Sequence, residues 1–259
     1  MLNTATIGLI NSPLEQFEVT NFIGLNAPIL GFINISLTNL GFYSLLVLSL
    51  IIGLHVLSNN NLRLIPSRWS IAMESSYASL HSMVKEQIGS SNEAYLPFIY
   101  SLFFFIIISN LSGNVPYSFC VPTSMIVSLG LSFTILVGVT IIGFEKHGIH
   151  FFSFFVPSGT PLGLVPLLVL IELISYLARA LSLGIRLFSN LVAGHTLLKI
   201  LSGFLWGMLT SSILVAIITI LPFTIFVALI GLEVAVSIIQ AYVFVILTSS
   251  YLKDAIELH

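Results

Sequence analysis

The chain has 259 residues, of which 57% are hydrophobic and only 7% charged, with a formal net charge of −2. A soluble domain carries about 25% charged residues, so a soluble fold of this composition would expose a mostly apolar surface, and the hydrophobicity excludes disorder. The small net charge argues against nucleic acid, the single cysteine excludes a disulfide framework or thiolate metal cluster, and the Walker-type glycine loop of a nucleotide site is missing.

Residues 1–36 form an N-terminal segment. Met1–Ile10 has neither the basic region of a secretory signal nor the arginines of a mitochondrial transit peptide. A membrane helix needs about 20 mostly apolar residues. The first such run is 37–57, closed by the polar turn Asn59-Asn60-Asn61. Over 66–89, Trp69, Met73, Tyr77, Leu80, Val84 and Ile88 recur at steps of three and four, with Arg68, Glu74, Lys85 and Glu86 on other faces. This is an amphipathic helix, lying in the membrane surface or packed on a partner subunit. Residues 96–144 read as a helical hairpin, with spans over 96–111 and 125–144. The last region, 162–259, is apolar almost throughout. It holds either three ordinary spans or two long tilted helices that break between Gly203 and Pro222.

The positive residues discriminate. Arg63, Arg68, Lys85, Lys146, Arg179 and Lys253 all fall on one side if the chain has five spans, with Lys199 the exception. This favours two long helices. The fold class is therefore an all-α polytopic membrane protein, with about five membrane helices, one surface helix and a long tilted C-terminal hairpin.

Ionisable groups at bilayer depth are costly and mark function. Glu172, Arg179 and Arg186 are spaced by seven and share one helix face, with Asn190 a turn beyond. His195, nine residues past Arg186, points about 180° away. On the second long helix Glu233, Gln240 and Asp254 share a face at multiples of seven. If the two helices are antiparallel, Glu233 falls near His195 and Asp254 near Glu172. Two polar half-paths result, with Arg186 at their divide. Carboxylate and imidazole can exchange protons; arginine cannot and acts as a fixed charge. A static bundle in which Arg186 pairs with Glu172 or Glu233 explains fewer of these charges.

Other residues read more plainly. His55, at the end of the first span, is expected to meet headgroups, and His81 to sit on the polar face of the surface helix. Glu145 and Lys146 read as a solvated loop, and His147 and His150 as a poor case for metal. Cys120 and the methionines read as packing residues. No metal, cofactor or nucleotide site is expected. An electron carrier would need paired span histidines, and only His195 lies in the later spans. An ion-coupled secondary transporter would show an internal repeat, which is not apparent.

The run Ala180-Leu181-Ser182-Leu183-Gly184-Ile185-Arg186-Leu187-Phe188-Ser189-Asn190-Leu191-Val192-Ala193-Gly194-His195 resembles the signature of the subunit a family of F-type ATP synthases. Ser67-Arg68-Trp69, Asn110-Leu111, Val115-Pro116-Tyr117-Ser118-Phe119, Phe155 to Leu162 and Ser250 to Ala255 resemble its mitochondrial, particularly fungal, form. The resemblance implies a stator subunit of the mitochondrial inner membrane, not an enzyme on its own. Its implied partners are a ring of c subunits, other membrane-sector and peripheral-stalk subunits, and the lipid bilayer, with protons as the transported species. It further implies that Arg186 faces the ring. Glu233, His195, Asn190 and Gln240 would line an intermembrane-space half-channel, and Glu172 and Asp254 a matrix one. Some fungal relatives lose a short leader before a segment like Ser12 to Glu18.

Overall fold

The computed structural model describes residues 12–23, 28–29, 33–34, 36–59, 66–116, 118–156, 163–211 and 213–256. The expectations on Met1–Ile10, Asn60, Asn61, Arg63, Tyr117 and Pro157–Leu162 lie outside the described residues.

The N-terminal segment contains two short antiparallel pairs. β1 (Asn21–Ile23) pairs with β4 (Leu37–Thr38), and β2 (Pro28–Ile29) with β3 (Ile33–Asn34). After it the described residues are mostly helical, and among them five helices are long and apolar enough to cross a membrane. α1 (Asn39–Ser58) begins where the Thr38 side chain accepts the Gly41 amide. α2 (Arg68–Ile88) is capped by Ser67, whose hydroxyl accepts the Ser70 amide, and ends at Gly89, whose φ of +89° suits a residue without Cβ. Its second half buries Leu80, Met83, Val84 and Ile88, in contact with α3 (Leu96–Gly113) and α7 (Ile220–Ile256). Trp69, Ile71 and Tyr77 in its first half stay exposed. The second half of the amphipathic stripe thus packs within this chain rather than on a partner subunit, and the first half leaves its apolar side chains uncovered.

α4 (Met125–His147) runs three residues past the expected end of its span. Glu145 and Lys146 therefore belong to a helix, and Lys146 Nζ donates to Asn92 Oδ1 at 3.2 Å. α5 (Val165–Ser211) has 47 residues, roughly 70 Å at 1.5 Å per residue, and must tilt or extend beyond a 30 Å hydrocarbon core. α6 (Ile213–Ile218) and α7 continue as one span with an interruption at Thr219. Pro222 explains it: a proline lacks the N–H that would reach the Ile218 carbonyl, while the flanking helical bonds, Thr219 N–H to the Val215 carbonyl and Phe223 N–H to the Thr219 carbonyl, are kept. The last region therefore holds two long helices, not three spans.

The core lies among α2, α3, α4, α5 and α7. α4 and α5 approach closely at Gly184, where an added Cβ would stand 2.9 Å from the Ser128 carbonyl oxygen. In lipid there is no hydrophobic drive between helices, so small residues that let backbones touch hold such a seam. His55 is half-buried between α1 and α3. Its Nδ1 lies 2.8 Å from the Ile51 carbonyl and its Nε2 3.2 Å from the Tyr100 hydroxyl, so the protein satisfies both ring nitrogens. His147 Nε2 lies 2.9 Å from the Ile256 carbonyl and ties the end of α4 to the end of α7. His81 meets Glu93 at 3.6 Å.

Candidate functional site

α5 and α7 pack against each other, and two groups of ionisable side chains join them at separate places. At one end His195 Nδ1 lies 3.1 Å from Glu233 Oε1, both side chains being largely buried. Glycine makes room for this pair: a Cβ at Gly194 would stand 2.9 Å from Glu233 Oε1. The pair opens on a cleft of about 870 Å³ whose lining includes Asn114, Ser118, Lys199 and Ser202. Behind it, Asn110 Nδ2 donates to the Ser237 carbonyl at 3.2 Å and Asn114 Nδ2 to the Ser237 hydroxyl at 3.0 Å. Ser237 is one turn beyond Glu233, so these amides fix α7 against α3 next to the carboxylate.

At the other end Arg179 joins both helices. Its Nη1 donates to Asp254 Oδ2 at 3.3 Å and its Nη2 to Glu172 Oε1 at 3.4 Å. The planar fork of a guanidinium suits two carboxylates on different helices. Beneath lies a cavity of about 20 Å³ lined by Tyr176, Arg179, Tyr251 and Asp254 among apolar side chains. That is enough for about one water molecule.

Arg186 lies between the two groups, about 10 Å along α5 from Arg179 and about 13 Å from His195. Among the described residues no carboxylate lies within ion-pair distance of it. The bundle in which Arg186 pairs statically with Glu172 or Glu233 is therefore not what the chain forms. Tyr251 lies within electrostatic reach of Arg179, Arg186 and Asp254. Asn190 and Gln240 are half-buried. Neither lines the large cleft, so the structure does not gather them with His195 and Glu233.

The antiparallel arrangement expected from the spacing brings Glu233 to His195, and Asp254 and Glu172 to one arginine. Sequence reasoning did not assign Arg179 to the site. It sits on the Glu172–Arg186 stripe at a spacing of seven, which was the available signal, but its second carboxylate comes from a helix 75 residues away. Asn110, Asn114 and Ser237 were missed because amides and hydroxyls carry no periodic charge signal. The basic residues Arg68, Lys85, Lys146, Arg179 and Lys253 belong to elements at the Arg179 end, with α2, the end of α4 and the end of α7.

The chain resembles one family throughout its helical part. A family model described as ATP synthase A chain matches residues 41–253. ATP synthase subunit a of Mycosarcoma maydis is 68% identical over 251 residues, covering 97% of this chain and 99% of its own length. ATP synthase subunit a of Podospora anserina is 50% identical over 261 residues, covering 100% of this chain and 99% of its own. That of Emericella nidulans is 51% identical over 251 residues, covering 96% and 98%.

Proposed function

Because this chain belongs to the ATP synthase A chain family, we propose that it forms the stationary side of a rotary proton path in the mitochondrial inner membrane. It is a multi-pass membrane subunit of the proton-translocating sector and not an enzyme alone. The transporter and electron-carrier readings fall with that membership. The observation that carries the mechanistic reading is the separation of two titratable groups by an arginine without an ion-pair partner among the described residues.

In this reading the His195–Glu233 cleft is the inlet, on the intermembrane-space side, and Glu172, Arg179 and Asp254 flank the outlet, on the matrix side. The basic residues at the outlet end agree with that orientation. Asn190 and Gln240 extend the inlet toward the partner ring of c subunits, against the outward face of the hairpin. That face carries exposed apolar residues such as Leu181 and Ile185, half of whose surface is uncovered in the single chain. A proton passes from the cleft through His195 and Glu233 and neutralises a ring carboxylate. The neutral site can turn through lipid, where a charged one is costly. On its return it releases the proton toward Glu172 and Asp254. Arg186, which keeps its charge at any working pH, stabilises the emptied ring carboxylate and repels protons that would pass straight across. A charge crossing 100 mV gains about 2.3 kcal/mol, so several protons must be coupled to each ATP, which rotation achieves.

Removing one partner of a buried ion pair costs about 3–5 kcal/mol, so Arg186→Ala should lower coupled ATP synthesis by at least about 100-fold. It should also raise passive proton conductance. Arg186→Lys shortens the reach and loses the fork, and should be severely impaired. Synthesis and conductance are measured in vesicles and normalised to assembled complex. Near-normal coupled synthesis in Arg186→Ala would falsify the reading.

A further inference from the structure

The segment from Ser12 to Thr20 precedes the first span, yet it lies across the inlet cleft. It is held at both ends. Lys199 Nζ donates to the Ser12 carbonyl at 3.5 Å. Asn39 Nδ2 donates to the Glu18 carbonyl at 3.0 Å, and Asn39 Oδ1 accepts the Thr20 amide at 3.3 Å. Between these ties a single 3-10 turn, Glu15–Phe17, brings the Phe17 ring to 6.3 Å from the His195 ring. Gln16 and Thr20 line the cleft together with Asn114, His195 and Glu233.

Four polar atoms of that lining are buried without a hydrogen-bond partner among the described residues: Gln16 Nε2, Asn114 Oδ1, His195 Nε2 and Glu233 Oε1. Glu233 Oε1 is close to the imidazole, but the contact is not aligned as a hydrogen bond. Buried polar groups are costly unless satisfied. Here Gln16 Nε2 donates only, the oxygens of Asn114 and Glu233 accept, and His195 Nε2 does either according to its tautomer. Such a set is satisfied by bridging water, for which the cleft has ample room.

We propose that Ser12–Thr20 is the outer wall of the inlet, and that Gln16 is a positioning residue which holds the water that passes protons to His195. This rests on the proton-path reading above. The charged groups around His195 are Glu233 on α7, Lys199 one turn along α5, and the exposed Glu15 and Glu18 on the strap itself.

The test uses the assembled complex in vesicles, with ATP synthesis followed as inlet-side pH is varied. Gln16→Leu keeps the bulk and removes the amide. Losing a hydrogen bond of this kind should raise the inlet proton concentration for half-maximal synthesis about 3- to 10-fold, with the saturating rate unchanged. Gln16→Asn, which keeps the amide donor on a shorter arm, should fall closer to the parental value than Gln16→Leu; a merely structural role would not give that split. Should Gln16→Leu fail to assemble, Gln16→Cys in a Cys120→Ser chain is treated from the inlet side with an impermeant methanethiosulfonate. Synthesis should slow and recover on reduction. A parental half-maximum in Gln16→Leu, or full synthesis after modification of Gln16→Cys, overturns the proposal. Glu233→Leu run alongside separates the two claims. If it is slow while Gln16→Leu is normal, the strap alone is wrong; if both are normal, the inlet path itself falls.

Discussion

At the end proposed as the inlet His195 and Glu233 keep only 15% and 10% of their side-chain exposure, and both partners of the contact can titrate. At the end proposed as the outlet Glu172, Arg179 and Asp254 keep 27%, 37% and 38%, and a permanent cation touches both acids. The space beside them differs in the opposite sense, a cleft of about 870 Å³ against a cavity of about 20 Å³. The drier pair thus faces the roomier void. A buried pair without a fixed charge avoids the full desolvation cost because its members can be neutral together. A pair of acids at one locus cannot both be ionised without a countercharge, and Arg179 supplies it.

This contrast makes the inlet the more fragile end. The inlet has one carboxylate, the outlet two. A positioned proton-transfer group is worth about 100-fold or more where nothing replaces it, and water in the cleft replaces part of that function. Glu233→Leu should therefore slow proton-driven synthesis about 10- to 100-fold, and Glu172→Leu only about threefold, because Asp254 still faces Arg179. Rates normalised to assembled complex decide it. Equal losses would break the contrast, and unchanged flux in both would remove these residues from the path.

Arg179→Gln probes the outlet from its cation. It leaves two carboxylates facing each other, on side chains about a third exposed, so the loss lies between surface and buried values, about 1–2 kcal/mol or roughly tenfold in synthesis. Arg179→Lys keeps the charge but cannot reach both acids with one planar fork, and should fall between. Full synthesis in Arg179→Gln, at normal complex content on a native gel, would show that the acids need no countercharge.

Gly194→Ala sharpens the inlet geometry at smaller cost. The new methyl would press on Glu233 Oε1, the tip of a flexible side chain, and shift the carboxylate by a few tenths of an ångström. A misplacement of that size should slow synthesis about two- to threefold. A larger loss would mean that Glu233 cannot yield, and no loss that its separation from His195 is unimportant.

The smallest expected effect is at Cys120, in the connection between α3 and α4. Burial pushes its thiol up to about 12, and the thiolate is the reactive form. At pH 8 the folded chain should resist maleimide while the denatured chain reacts. Above about pH 9 the unfolded thiol ionises and the folded one does not, so this group withdraws stability as pH rises from 9 toward 12. Rapid labelling of the native complex at pH 8 would contradict the burial.

Much of the fold is local and therefore legible. Apolar runs long enough to span lipid leave no choice but helix, because every backbone group must be satisfied internally. The positive residues separated two long helices from three spans, and spacings of seven put Glu172, Arg179 and Arg186 on one face. Pairing was legible only conditionally: Glu233 meets His195 because α7 returns antiparallel with a particular register. Among the contacts that place α7 are the amide ties of Asn110 and Asn114 to Ser237, while the close seam at Gly184 places α5 against α4. The contact of His55 with Tyr100, the bridging of two helices by Arg179 and the strap with Gln16 over the cleft were decided by tertiary structure alone. Each joins residues 45 or more positions apart, and a spacing rule holds only within one helix.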